Sequence, residues 1–272
     1  MARTLPDQLY RNALAAPDRE LLRVIYADGE ELSLSRLRLF QSARQVADHL
    51  AALGVGEGDL VIIVQRDSLL LTASFFGAAL LKAIPSILPF ASEKLHPERY
   101  RSAMAALVEL SRPAVLATEP SIEEEVRALL PNGESAAYLP QVLVLTPEDV
   151  LSGEPELAQP ADHIDPEAVA LLQHSSGTTG LQKGVALCHR AIFEQLDHYS
   201  RALGFTEDDV IVSWLPLYHD MGLIAGFLMP LLSGAKLVLL SPLDWVRAPY
   251  TLLHAITRHG GTLSWMPNFA YN

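Results

Sequence analysis

The chain has 272 residues, of which 50% are hydrophobic and 19% charged, enough apolar side chain to bury a large core and too apolar for a disordered chain. Its net charge of −12 argues against nonspecific binding to nucleic acid or to an anionic membrane surface. The single cysteine, Cys188, excludes an internal disulfide and suits a reducing cytoplasm, and Met1–Tyr10 carries Arg3 and Asp7 without the apolar core of a signal peptide.

Leu5–Ala15 reads as a short helix, with Leu5, Leu9, Tyr10, Ala13 and Leu14 on one side. Strands are expected at Leu22–Tyr26 and Glu31–Leu34, joined by the turn Ala27-Asp28-Gly29-Glu30 as a hairpin. Ser35 is placed to cap a long helix ending near Gly54, in which Leu37, Phe40, Ala43, Val46 and Leu50 recur at three and four residues. Helices and strands then alternate. Helices are expected at about 67–83, 97–110, 121–130, 189–203, 220–232 and 249–258. The intervening strands are Leu60–Val64, Ser86–Leu88, Ala114–Ala117, Gln141–Leu145, Ala168–Leu172, Val210–Trp214, Lys236–Leu240 and Thr262–Met266.

Two apolar runs, Ser68–Ile84 and Met221–Leu240, are broken by Lys82 and by Pro230 with Ser233-Gly234, leaving pieces shorter than the ~20 residues of a membrane span. Each reads as a buried helix followed by a buried strand, not a transmembrane segment. The βαβα alternation predicts an α/β fold of helix-covered, mainly parallel β-sheets. Residues 146–166, with Pro147, Pro155, Pro160 and Pro166 among acidic side chains, read as an exposed connector between sub-regions at about 1–165 and 166–272.

The chemistry concentrates after the apolar run Ala168–Leu172. There the sequence turns to Ser175-Ser176-Gly177-Thr178-Thr179-Gly180-Leu181-Gln182-Lys183-Gly184. Glycines let the backbone come close to a ligand, so that successive N–H groups form a concave anion site. Hydroxyls add donors, and Lys183 adds a point charge for phosphate oxygens. A Ser/Thr/Gly surface loop is the plainer alternative. A strand that empties straight into the loop favours phosphate binding beyond the strand's carboxyl end. The spacing excludes a Walker A loop, which needs four residues between its first glycine and the Gly-Lys pair, then Ser or Thr.

A second candidate is Trp214-Leu215-Pro216-Leu217-Tyr218-His219-Asp220-Met221-Gly222, which ends one strand and opens a helix. From the residues alone, two readings stand level: a site edge, or Asp220 capping the helix with His219 merely packed. The nine histidines show neither His-Glu-x-x-His nor a close His/Cys cluster, so no metal site is indicated.

The string Ser175–Gly184 resembles the phosphate loop of adenylate-forming enzymes: acyl-CoA synthetases, fatty acyl-AMP ligases, peptide-synthetase adenylation domains and luciferases. Gln182 stands where that family usually has proline. The segment Trp214–Gly222 is similar to the corresponding motif of fatty acyl-AMP ligases. The resemblance implies that Ser175, Ser176, Gly177, Thr178, Thr179, Gly180, Lys183 and Gly184 hold the phosphates of ATP, with Thr178 or Thr179 facing Mg²⁺. It places His219 between acyl group and nucleotide as a catalytic residue beside Lys183. Met221, Gly222 and the later Trp265, Met266, Asn268 and Phe269 then border the acyl site, and Phe227 and Met229 suit the wall of an aliphatic tunnel. Each of these apolar residues is equally at home in an ordinary core.

The implied activity is activation of a carboxylic acid, a medium or long fatty acid, to acyl-AMP, followed by transfer to CoA or to the phosphopantetheine of an acyl carrier protein. Members of the family run to about twice this length. Their Tyr-Gly-x-Thr-Glu motif, ribose-binding Asp and small C-terminal lid domain have no counterpart in these residues. The expectation is therefore an incomplete N-terminal AMP-binding domain spanning 1–272, inactive alone. A nucleotide-binding module without turnover and an inert fragment needing a partner half are the alternatives.

Overall fold

The computed structural model describes residues 3–91, 96–130, 138–153, 157–160, 164–175 and 183–271. Along the chain run α1 (Leu5–Ala15), β1 (Glu20–Ile25), β2 (Glu31–Ser35), α2 (Arg36–Ala52), β3 (Leu60–Ile63), α3 (Ser68–Leu80), β4 (Ile84–Ile87) and α4 (Pro97–Ser111). There follow β5 (Val115–Thr118), α5 (Glu123–Arg127), β6 (Gln141–Val144), α6 (Pro147–Leu151), β7 (Val169–Ser175), β8 (Lys183–Cys188), α7 (His189–Leu203) and β9 (Val210–Ser213). The last are α8 (Asp220–Leu223), a π turn (Ile224–Leu228), α9 (Met229–Ser233), β10 (Lys236–Leu240), α10 (Pro242–Arg247) and α11 (Tyr250–His259).

These elements form two compact units. One comprises Met1–Gln41, Glu156–Ala168 and Cys188–Asn272, the other Ser42–Pro155 and Val169–Leu187. The division differs from the expected break at residues 146–166, because strand pairing draws β1 and β2 to the later strands β9 and β10, and β7 lies against the earlier β4, to which His174 is hydrogen-bonded through Ser86.

In the first unit the sheet order is β2-β1-β10-β9, antiparallel only at the β1–β2 hairpin. Leu22 lies opposite Leu237, and Leu237 opposite Ile211. Leu237–Leu240 are all buried, as in a strand covered on both faces. Helix α1 starts at Thr4, whose hydroxyl accepts from the Asp7 N–H at 3.3 Å. It is tied to α9 by Asn12, whose Nδ2 donates to the carbonyls of Leu231 and Leu232 in its last turn at 2.9 and 3.2 Å. The expected single helix at 220–232 contains a π turn instead, in which the Met229 N–H bonds to Ile224 O, five residues back. The shift falls directly ahead of Pro230, which has no N–H to continue an α-helical ladder.

The strand expected at Thr262–Met266 shrinks to one bridge, Ile211 to Leu263. Val212 N–H donates to Leu263 O at 3.1 Å, after which the chain leaves the sheet for a 3₁₀ turn at Asn268–Tyr271. Helix α10 was not expected. It starts at Ser241, whose hydroxyl accepts from the Leu243 N–H at 3.2 Å, with Pro242 at its first position.

In the second unit a parallel sheet has the order β4-β3-β5-β6. Helix α3, apolar all round, is buried from Leu69 to Leu80. Asp67 caps it, accepting from the N–H groups of Leu69 and Leu70 at 2.8 and 3.0 Å. The connector read as exposed contains α6. Thr146 and Asp149 exchange bonds as a capping box, Pro147 opens the helix, and Val150 is fully buried. Strand β8 was also not anticipated; it pairs with β7. The run Ser68–Ile84 is thus a helix and a strand, and no helix among the described residues is long and apolar enough to cross a membrane.

His189, 5% exposed at the start of α7, accepts the Leu5 N–H on Nδ1 at 3.2 Å. Burial lowers its pKa to about 4, against the opposing pull of the Asp7 and Asp165 carboxylates. Since an unfolded histidine titrates near 6.5, between about pH 6.5 and 4 the unfolded chain binds a proton that the folded chain refuses. Stability is therefore expected to fall with pH across that window by roughly 2–3 kcal/mol more than in His189→Leu. Urea unfolding of both at pH 7 and pH 4 measures this, and parallel losses would exclude a buried neutral ring.

Candidate functional site

The expected phosphate loop joins β7 to β8. Ser176, Gly177, Thr178, Thr179, Gly180, Leu181 and Gln182 lie outside the described residues, whereas Ser175 ends β7 and Lys183 begins β8. The two strands are hydrogen-bonded neighbours, so the loop leaves and re-enters one two-stranded ladder. Gly184 packs closely against β7 there. A Cβ at that position would stand 3.1 Å from Leu172 Cδ1 and 3.7 Å from His174 Nε2. His174, the last residue of β7 but one, hydrogen-bonds through Nδ1 to Ser86 Oγ on β4 at 3.0 Å. Ser86 is 1% exposed, and burial lowers the His174 pKa.

The acyl-site candidates belong to the other unit and gather beyond the carboxyl ends of β9 and β10. Trp214, just past β9, stacks face to face on Trp245 of α10, with ring centroids 3.6 Å apart and planes 8° from parallel. Phe269 meets both rings at 6.2 Å. Met221, Trp265 and Met266, all partly buried, pack against the cluster formed by Val212, Trp214, Leu215, Leu240 and Trp245. The structure thus brings together Met221, Trp265, Met266 and Phe269, the last with 64% of its surface still exposed. Asn268 is exposed in the 3₁₀ turn. Phe227 and Met229 are fully buried, which makes them core and removes them from the expected tunnel wall.

His219 occupies the N-cap position of α8 but makes no capping bond, and its exposed ring lies 5.1 Å from that of Tyr218. Burial raises the Tyr218 pKa, keeping its hydroxyl protonated. Asp220 does not cap the helix either, since it accepts from its neighbour Met221 N–H at 2.7 Å. Gly222 is where α8 touches the preceding strap. A Cβ there would fall 2.2 Å from Pro216 O, and one at Gly226 2.8 Å from Ser213 Oγ. Among the described residues no three His, Cys, Asp or Glu side chains are grouped to hold a metal ion.

The family model for AMP-binding enzymes matches residues 9–272. The chain belongs to the AMP-binding, adenylate-forming family. It is 29% identical to a 4-hydroxyphenylalkanoate adenylyltransferase of Mycobacterium marinum, over 98% of this chain and 43% of that protein. It is 30% identical to the long-chain-fatty-acid–AMP ligase FadD26 of the same organism, over 99% of the chain and 46% of the ligase. Among solved structures, a fatty acyl-adenylate ligase from L. pneumophila, in complex with acyl adenylate and pyrophosphate, superposes with a TM-score of 0.79 at 28% identity. That match covers 98% of this chain and 45% of the ligase. The adenylation domain of a keto acid-selecting NRPS module gives a TM-score of 0.84 at 25% identity, over 98% and 48% of the two chains. The chain spans less than half the length of each of these relatives.

For an AMP-binding chain, reasoning from sequence missed the pairing of His174 with Ser86 and the stacking of Trp214 on Trp245. The first had one signal: His174 is the only ionisable residue between Val169 and Ser175. The second had none, because 30 residues and a strand separate the two indoles. Gly222→Ala is expected to destabilise the protein by about 3 kcal/mol, the upper range for overpacking, because the clash is with backbone that cannot rotate away. Thermal and urea unfolding check this, and an unchanged midpoint would show that α8 is free to shift.

Proposed function

We propose that the chain takes part in ATP-dependent activation of a carboxylic acid, a fatty acid in the first instance, to acyl-AMP with release of pyrophosphate. The observation that carries this reading is the string Ser175–Gly184 spanning the turn between the paired strands β7 and β8, in a chain of the AMP-binding family. A carboxylate oxygen attacks the α-phosphorus of ATP, a P–O bond forms, and the bond to the departing pyrophosphate breaks. No protein nucleophile is required; the work is positioning and charge stabilisation. Ser175, Ser176, Gly177, Thr178, Thr179, Gly180, Lys183 and Gly184 hold the β- and γ-phosphates as charge builds on the leaving group. Mg²⁺ arrives with ATP as part of the substrate, and Thr178 or Thr179 is its nearest partner from the chain.

His219 orders the junction of acyl group and nucleotide, and Met221, Gly222, Trp265, Met266, Asn268 and Phe269 border the acid. The second step, attack on the acyl carbonyl by a thiol of CoA or of a carrier protein's phosphopantetheine with loss of AMP, belongs to the whole protein. The setting proposed for it is cytoplasmic. An arylalkanoic acid is the second candidate substrate. It is favoured by the stacked Trp214–Trp245 pair with Phe269 against it, and by the likeness to a 4-hydroxyphenylalkanoate adenylyltransferase.

The 272-residue chain, matching 43–46% of its curated relatives' length, is proposed not to complete the reaction unaided. Carboxylate-dependent ATP–pyrophosphate exchange tests this with the chain, a version extended to the relatives' length, and the extended Lys183→Ala. Exchange is expected only in the longer protein, with Lys183→Ala losing roughly 1–3 kcal/mol of transition-state stabilisation, the scale of one charge-assisted contact. ATP hydrolysis that ignores added carboxylate would refute the ligase reading and favour a nucleotide-binding module. Absence of any saturable heat on titrating ATP into the 272-residue chain would favour an inert part.

A further inference from the structure

Strands β1 and β10 lie side by side with their last residues, Ile25 and Leu240, in register. Beyond them the chain parts. After β1 it turns back into β2, whereas after β10 it passes through α10 and α11 to the far side of β9, where Leu263 bridges Ile211. Connections that part in this way leave a crevice beyond the carboxyl ends of the strands, where open α/β sheets take their ligands. Two adjoining cavities of about 290 and 130 Å³ occupy it, sharing Ile25, Tyr26, Ala27 and Thr251 as walls. The larger is near the lower limit of small-molecule pockets, ~300 Å³. No lining residue belongs to the sets assigned above to the phosphates or the acyl group.

Helix α11 sets Thr251, His254 and Arg258 along the larger cavity at helical spacing, with Tyr250 beside them. Glu31, also in the lining, is already matched: it meets Arg23 at 2.8 Å, Arg258 at 2.9 Å and His259 at 3.3 Å. Arg258 gives Nη1 to that contact and is otherwise 66% exposed, which leaves the rest of its fork for a ligand. Arg247 lines the smaller cavity, and among the described residues neither it nor His254 has a hydrogen bond or ion pair. Two carboxylates oppose these donors, Asp28 in the larger cavity and Asp244 in the smaller. Asp28 also accepts the Glu30 N–H at 2.9 Å. A polyanion would be repelled by them, whereas a single charge with an uncharged body is not.

We propose that this crevice binds a small aromatic monocarboxylate. Its carboxylate lies on Arg258 and His254, and its ring lies against Tyr26 and Tyr250. Its body reaches across Ile25 and Ala27 toward Leu240 in the smaller cavity.

Titration of 3-phenylpropanoate into the 272-residue chain, followed by backbone amide NMR, tests this. Saturable shifts are expected at Tyr26, Ala27, Thr251 and His254. The alcohol 3-phenylpropanol keeps the body without the charge, and inorganic phosphate keeps charge without the body. Each is expected to bind at least about tenfold more weakly, the scale of one charge-assisted contact or one buried ring. Arg258→Gln is expected to cost roughly tenfold in affinity for the acid, and Tyr250→Ser about fivefold. Phosphate binding as tightly as the acid would overturn the assignment to a monocarboxylate. Shifts confined to Met221 and to residues 265–269 would place the acid at the aromatic cluster and overturn the crevice, as would no shift at all. Should Arg258→Gln fail to fold for want of its bond to Glu31, His254→Ala takes its place. Unchanged affinity in both His254→Ala and Tyr250→Ser refutes the proposal.

Discussion

The parallel pairing of β1 with β10 is the constraint on which the first unit depends. Leu22 lies opposite Leu237, so the sheet closes a loop covering most of the chain. Such closure is less costly than it looks, because its entropic penalty grows only with the logarithm of loop length, about 0.6 kcal/mol per doubling. Once made, it directs the carboxyl ends of β1, β10 and β9 to the same edge of the sheet. Trp214 and Trp245, which follow β9 and β10, meet there because the strands that deliver them run side by side in one direction. The aromatic pair is thus a product of topology before it is a product of side-chain preference.

In the second unit the corresponding device is a ladder of two strands. Pairing β7 with β8 fixes where the connection between them starts and stops. Gly184 brings β8 close over Leu172, and the bond from His174 to Ser86 ties the ladder to β4. Both ends of the connection at 176–182 are thus held by paired backbone, as is usual where rigid elements carry a connecting segment.

Much of the fold was legible because parallel strands buried on both faces announce themselves as short runs such as Leu60–Ile63 and Lys236–Leu240, and because α1 and α7 carry clear amphipathic stripes. The misses have local causes. Strand β8, with Lys183 and three exposed residues at Gly184, Val185 and Ala186, lacks the continuous apolar run by which its neighbours were recognised. Pro147 was taken for a connector signal when it opens a capped helix. Leu263 keeps one bridge and no strand, since the side chains of Thr262–Met266 do not report where the ladder ends. Of the candidate site, residue types at 214–222 and 265–271 marked segments that pack together, but only packing separates the partly buried Met221 and Trp265 from the fully buried Phe227 and Met229. No local pattern could reveal that the two units exchange segments, because that depends on strands far apart in sequence.

The two glycines at 222 and 226, one helical turn apart, leave no spare volume between the 220–233 helix and the strap beneath it. In the same unit, Trp265, Met266 and Phe269 keep partial exposure around the Trp214–Trp245 cluster. Adaptation of this surface over evolutionary time is therefore one-sided. Changes of side-chain size can be absorbed between 265 and 269, whereas the helical side accepts no enlargement and offers only the atoms it already has.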